Sequence, residues 1–143
     1  MYSSIAELST QLGEDEINAL ALREDGTRDE ARLTDALQRA SDEADSYLCG
    51  RYAVPLNPVP RVLTGYINSM ARYHLCGGSF GQDTEEVTRR YEAALAWLKN
   101  VARGVASIAG QSSPVSAAGA GVVFNAGSRV WDDMSGIVGT KQE

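Results

Sequence analysis

The sequence predicts a mainly α fold: a compact bundle of about four helices, followed by an extended C-terminal arm containing one or two short β-strands. Three observations carry that expectation. Apolar residues recur at spacings of three and four through the first hundred or so positions, as the buried stripe of an amphipathic helix requires. Turn-forming residues (Gly13, Asp25-Gly26, Gly50 with the prolines after it, Gly77-Gly78, Gly104) fall between those stretches. After Ile108 the composition changes to Gly, Ala and Ser and then to two β-prone pieces. The expected organisation is a helical domain over 1–109, a flexible linker over 110–121 and an arm over 122–143.

Ser4 with Glu7 forms a capping-box pattern, and Ile5, Leu8 and Leu12 follow at helical spacing, so a short helix should end at Gly13. A second helical turn is expected over 14–22, with Ile17, Leu20 and Leu22 as its apolar residues. The polar stretch 23–28 is a turn around Asp25-Gly26. Thr27 with Glu30 is a second capping-box pattern, opening a long helix over 29–48. Its inner seam is Leu33, Ala36, Leu37, Ala40, Ala44, Tyr47 and Leu48, rich enough in alanine to let a neighbouring helix approach closely. Asp35, Arg39, Asp42, Glu43 and Asp45 are expected on the opposite, solvated face.

Gly50 breaks this helix, and Pro55, Pro58 and Pro60 force an extended strap. Pro60 suits the start of the next helix, because its missing N–H would lack a partner there anyway. That helix should run to Leu75 on a stripe of Leu63, Ile67, Met70 and Ala71, and stop at Gly77-Gly78. Asp83 or Thr84, with Glu86 in the first turn, opens a final helix. Val87, Tyr91, Ala94, Leu95, Leu98 and Val101 mark its buried face, and Gly104 its end. Beyond the linker, Val122-Val123-Phe124 and Arg129-Val130-Trp131 are β-prone and apolar. Two strands so short are marginal alone in water, so they need a surface to lie on.

Composition narrows the function. Hydrophobic residues at 43% and charged residues at 22% place the chain with globular proteins rather than disordered ones. No apolar run approaches the ~20 residues of a membrane span, and Met1-Tyr2-Ser3-Ser4 does not open like a signal peptide, so synthesis in the cytoplasm is expected. Cys49 and Cys76 are then expected as reduced core thiols. Residues 1–48 hold twelve acidic and four basic side chains, a net of −8, while residues 49–143 carry a net of +2. A domain that grips nucleic acid would show a basic stripe, and none is visible.

Catalytic and metal-binding patterns are thin. His74 is the one histidine, and with Cys76 it offers at most two ligands where zinc takes three or four. The loop at Asp25 lacks the alternating oxygen ligands of a calcium site and contains Arg28. Asp42 and Asp45 share a helix face, but nothing in the pattern separates their pKa values as acid–base work requires. The glycines near Gly119 and Gly121 are not followed by the Lys-Ser/Thr of a phosphate-binding loop. No enzyme activity, cofactor or metal is expected. Arg51, Tyr52, Pro55 and Leu56 stand where a long helix becomes a strap, so they either fix that bend or offer an interface.

A resemblance covers nearly the whole chain apart from the linker. It is carried by Tyr2, Leu8 and Gly13-Glu14-Asp15-Glu16; by Ala36-Leu37, Ala40-Ser41, Glu43, Asp45 and Tyr47-Leu48; by Arg51-Tyr52-Ala53-Val54-Pro55-Leu56 and Ala71-Arg72-Tyr73. Arg90-Tyr91-Glu92, Ala94-Leu95, Trp97-Leu98 and Ser128-Arg129-Val130-Trp131 complete it. In order and spacing these segments resemble the small neck proteins of Mu-like phages, a family related by fold to the head–tail connector, or adaptor, proteins of long-tailed phages. Residues 132–138 depart from the pattern, lacking its basic and aromatic residues. The resemblance implies a structural protein of the virion neck, made in the host cytoplasm. It would form a ring, commonly a dodecamer, beneath the portal protein and receive a tail terminator or another neck protein below. Genomic DNA would pass through without sequence-specific binding, and no membrane is involved.

In that setting Asp35, Asp42, Glu43 and Asp45 are candidates to face the channel, where like charge repels DNA. Val122, Val123, Phe124, Arg129, Val130 and Trp131 are candidates to bind the portal or a neighbouring subunit by strand addition. Two other classes compete: a free-standing helical protein–protein interaction module, and a DNA-binding regulator reading with the helix after Pro60. That helix has only Arg61 and Arg72 as cations.

Overall fold

The computed structural model describes residues 1–77 and 84–111. Five helices follow one another: α1 (Ile5–Leu12), α2 (Glu14–Leu20), α3 (Glu30–Leu48), α4 (Arg61–Cys76) and α5 (Thr84–Arg103). The last three are the body. α4 packs against both α3 and α5, α3 also meets α5, and α1 with α2 closes one flank. The linker from residue 112 onward and the two β-prone pieces of the arm lie outside the described residues.

Local chemistry accounts for the boundaries. The Ser4 hydroxyl accepts from the Glu7 N–H at 3.3 Å, and the Glu7 carboxylate accepts from the Ser4 N–H at 2.9 Å, closing the capping box. Gly13, at φ 91°, ends α1 and begins α2 without an intervening loop. α2 stops at Leu20, earlier than the sequence suggests. Ala21 turns inward and is buried, while Leu22 faces solvent, 59% exposed, and forms a single antiparallel bridge with Arg28 across the Asp25-Gly26 turn. Leu22 is therefore not a core residue.

The cap of α3 also differs from expectation. Asp29, not Thr27, accepts from the Arg32 N–H, at 3.1 Å. The Thr27 hydroxyl is committed to the turn, donating to the Asp25 carboxylate at 2.6 Å, so the neighbouring acid takes over the helix end. α4 begins directly after the extended Pro60 and ends at Gly77 in the left-handed conformation. The Arg32 guanidinium donates to the Leu75 carbonyl at 2.9 Å, satisfying a last-turn acceptor of α4.

The core runs along the α3–α4–α5 seams. Leu33, Leu37 and Leu48 of α3, Leu63, Ile67 and Met70 of α4, and Leu98 and Val101 of α5 are all fully buried. Each contributes about 1.5–3 kcal/mol by leaving water. Ala36, Ala40, Ala44 and Ala71 are buried among them, the small residues that let the helix axes draw together. Ser41, Asn68, Ser69 and Arg72 are buried as well. Among the described residues no buried side-chain nitrogen or oxygen lacks a hydrogen-bond partner.

Candidate assembly surface

The strap between α3 and α4 is fastened from two directions. Tyr2 enters first: it is buried, its N–H donates to Ser41 Oγ at 3.0 Å, and its carbonyl accepts from the Thr64 hydroxyl at 3.1 Å. Its phenol donates to the Asp45 carboxylate and accepts from the Leu56 N–H at 3.0 Å. Burial, and then the Asp45 carboxylate, push the phenol well above the ordinary tyrosine range. Leu56 fills the space below.

The second fastening comes from the chain that follows α5. The Tyr52 hydroxyl, buried, accepts from the Ile108 N–H at 3.1 Å. The Gln111 side chain donates to the Pro58 carbonyl at 2.8 Å. The Arg51 guanidinium lies against Gly104, so close that a Cβ there would meet Nη1 at 1.9 Å. Residues 104–111 thus run beside residues 51–58 in the same direction, and both close the same end of the bundle. Of the strap residues singled out from the sequence, Tyr52 and Leu56 are locks on the core, Arg51 is half-buried and Pro55 is exposed.

The acidic residues of α3 divide. Asp35 is exposed and paired with Arg39 at 2.8 Å; Asp42 is exposed and accepts from Gln38 at 2.7 Å. Glu43 and Asp45 are turned inward instead, which corrects their placement on a solvated face. Asp45 holds Tyr2, and Glu43 accepts from the Tyr91 hydroxyl at 2.7 Å while lying 3.2 Å from His74 Nε2. Burial, then Glu43, raise the Tyr91 phenol far above its usual range. Tyr91 also stacks on Tyr73, with ring centroids 4.0 Å apart, and Tyr66 stacks on Trp97 at 4.9 Å. This Glu43–His74–Tyr91 junction ties α3, α4 and α5 together. The sequence carried a hint of it, since Glu43 and Tyr91 both lie in segments that support the resemblance, but periodicity alone put Glu43 outside.

The other buried polar side chains among the described residues are similarly engaged. Arg72 pairs with Glu16, and Asn68 donates to Gln11 Oε1 at 3.0 Å, joining α4 to the α1–α2 flank. Arg72 is therefore unavailable to a DNA groove, and Arg61 is the one arginine α4 leaves exposed. Cys49 is exposed, correcting its placement in the core, while Cys76 is half-buried with its thiol pushed up by burial. Among the described residues no three His, Cys, Asp or Glu side chains are gathered to hold a metal ion, and no helix is long and apolar enough to cross a membrane. The six arm residues, Val122 to Trp131, lie outside the described residues.

Comparison with known proteins gives the class of this helical body: it is a phage protein. The chain belongs to the family described as Bacteriophage Mu, Gp36, whose model matches residues 2–125. It is 40% identical over 80 residues to the Mu-like prophage FluMu protein gp36 of Haemophilus influenzae (strain ATCC 51907 / DSM 11121 / KW20 / Rd). Over a stretch of the same length it is 35% identical to Gene product J of Escherichia phage Mu. Each alignment covers 56% of this chain and 55% of the relative, so the chain matches about half the length of these curated relatives.

Proposed function

We propose that this chain is a head–tail connector subunit of a tailed phage, forming a ring beneath the portal that continues the DNA channel and presents a docking surface to a tail terminator or another neck protein. Membership in a phage family supports the setting. The observation that carries the reading is the separation of charge over the surface. The outward side of α3 shows Glu30, Asp35 and Asp42 against Arg32 and Arg39, with Arg32 drawn to the Leu75 carbonyl, whereas the outward side of α5 shows Arg89, Arg90, Lys99 and Arg103 against Glu85 and Glu92. A channel wall must repel the phosphate backbone, and an acidic helix face does so. Asp35 and Asp42 are the residues we assign to the channel; Glu43 and Asp45 hold the bundle behind them. The protein acts by assembly, without catalysis or a cofactor, and resides in the neck of the virion.

Duplex DNA binding by the assembled ring tests this assignment. The native ring should bind duplex poorly at every salt concentration, and Asp35→Lys combined with Asp42→Lys should create salt-sensitive retention. Tight, salt-sensitive binding by the native protein would instead favour a DNA-binding regulator and overturn the assignment.

A further inference from the structure

The strap end of the bundle carries a surface that the fastening just described leaves unused. Val59, Val62 and Val105 are 40%, 50% and 77% exposed, and Pro55 and Pro58 are exposed beside them in sequence. The last turn of α3, the strap and α4, residues 46–77, contain no aspartate or glutamate, and neither does any residue from 93 to 131. Arg61 at the start of α4 and Arg103 at the end of α5 are exposed and have no ion-pair partner among the described residues. The end is therefore apolar and cationic.

We propose that this end is the seat for residues 122–133 of a second copy of the chain, a contact that rests on the ring reading above. The chemistry of that segment is complementary. Val122, Val123, Phe124, Val130 and Trp131 supply apolar side chains, and Asp132-Asp133 follow immediately with the charge that Arg61 and Arg103 lack. The path is also suitable. Gln111 is pinned to Pro58 at the rim of the seat, and the ten residues 112–121 span up to ~33 Å when extended. That is about three times the width of a helix, enough to reach the next subunit of a ring. A segment on one side and a seat on the other are the two different faces that head-to-tail closure needs.

The test uses the full chain. Trp131 is replaced by benzoylphenylalanine in unlabelled protein, which is mixed with ¹⁵N-labelled protein and irradiated in the presence of portal protein. Adducts joining unlabelled and labelled peptides that contain residues 59–62 or 105 are the expected result. Val59→Glu with Val62→Glu alters only exposed positions and should weaken association about tenfold or more. Arg61→Glu should weaken it too, and Asp132→Lys with Asp133→Lys should restore it in that background. Adducts confined to single chains would mean that the segment folds back on its own seat, which overturns the proposal. Rings that form without adducts at the seat, or that ignore the charge swap, would overturn the seat and leave the ring standing. Copies that never associate, with or without portal protein, would remove both.

Discussion

The two ends of the bundle are closed in opposite ways. At the end where α3 passes into α4, extended chain is held by buried phenols: Tyr2 on Leu56 and Asp45, Tyr52 on Ile108. At the other end the connection from α2 to α3 is held by exposed and half-buried surface groups. Arg23 meets Asp29 at 3.0 Å, Arg28 reaches Glu14 and Asn18, and Leu22 faces water. Hydrogen bonds to buried groups are costly to remove because the orphaned partner stays desolvated, whereas exposed ion pairs contribute little. The strap end is thus the rigid end, and it is also the end from which the chain continues. The proposed connector role would need its shape there, because a rigid scaffold positions a contact better than a yielding one.

Substitutions at the two ends put this contrast at risk in order of size. Leu56→Ala should cost about 2–4 kcal/mol in urea unfolding, since a buried side chain is removed from beneath the strap. Tyr2→Phe should cost about 1–3 kcal/mol, leaving the Asp45 carboxylate and the Leu56 N–H without their shared hydroxyl. The same variant has a pH signature. Because the Tyr2 phenol is raised in the folded state, its contribution is complete below the ordinary tyrosine pKa of about 10 and is lost as pH climbs towards the folded value. Native protein should therefore lose stability in strong alkali more steeply than Tyr2→Phe, with Tyr91 supplying the slope that remains.

Tyr52→Phe should cost about 1 kcal/mol, and hydrogen exchange at the Ile108 amide should quicken with it. Arg23→Ala at the opposite end should leave the urea unfolding midpoint nearly unchanged, because its pair with Asp29 is screened by water. If Arg23→Ala proves as damaging as Tyr2→Phe, the distinction between a rigid end and a tolerant one is wrong.

Much of this architecture was legible in the residues, and the misses share a cause. Apolar periodicity located α3, α4 and α5, and the Ser4–Glu7 pattern and Gly77 located two of the helix ends, because those signals are local. What periodicity could not see is a polar side chain recruited by a distant one. Glu43 and Asp45 sit at positions that helical spacing leaves to solvent, yet Tyr91 and Tyr2, 48 and 43 residues away, draw them inward. Thr27 lost the α3 cap to Asp29 because its hydroxyl serves the preceding turn, and Leu22 left the core once α2 ended at Leu20. The strap was recognisable as a bend from its prolines. Its fastening depends on Ile108 and Gln111, which no local pattern connects to it.

Mass measurement of the protein alone and with portal protein, by native mass spectrometry or imaging of the neck, tests the central claim most directly. A closed ring of identical copies seated on the portal, commonly twelve, is the predicted result. A single copy at every concentration, unchanged by portal protein, would contradict it.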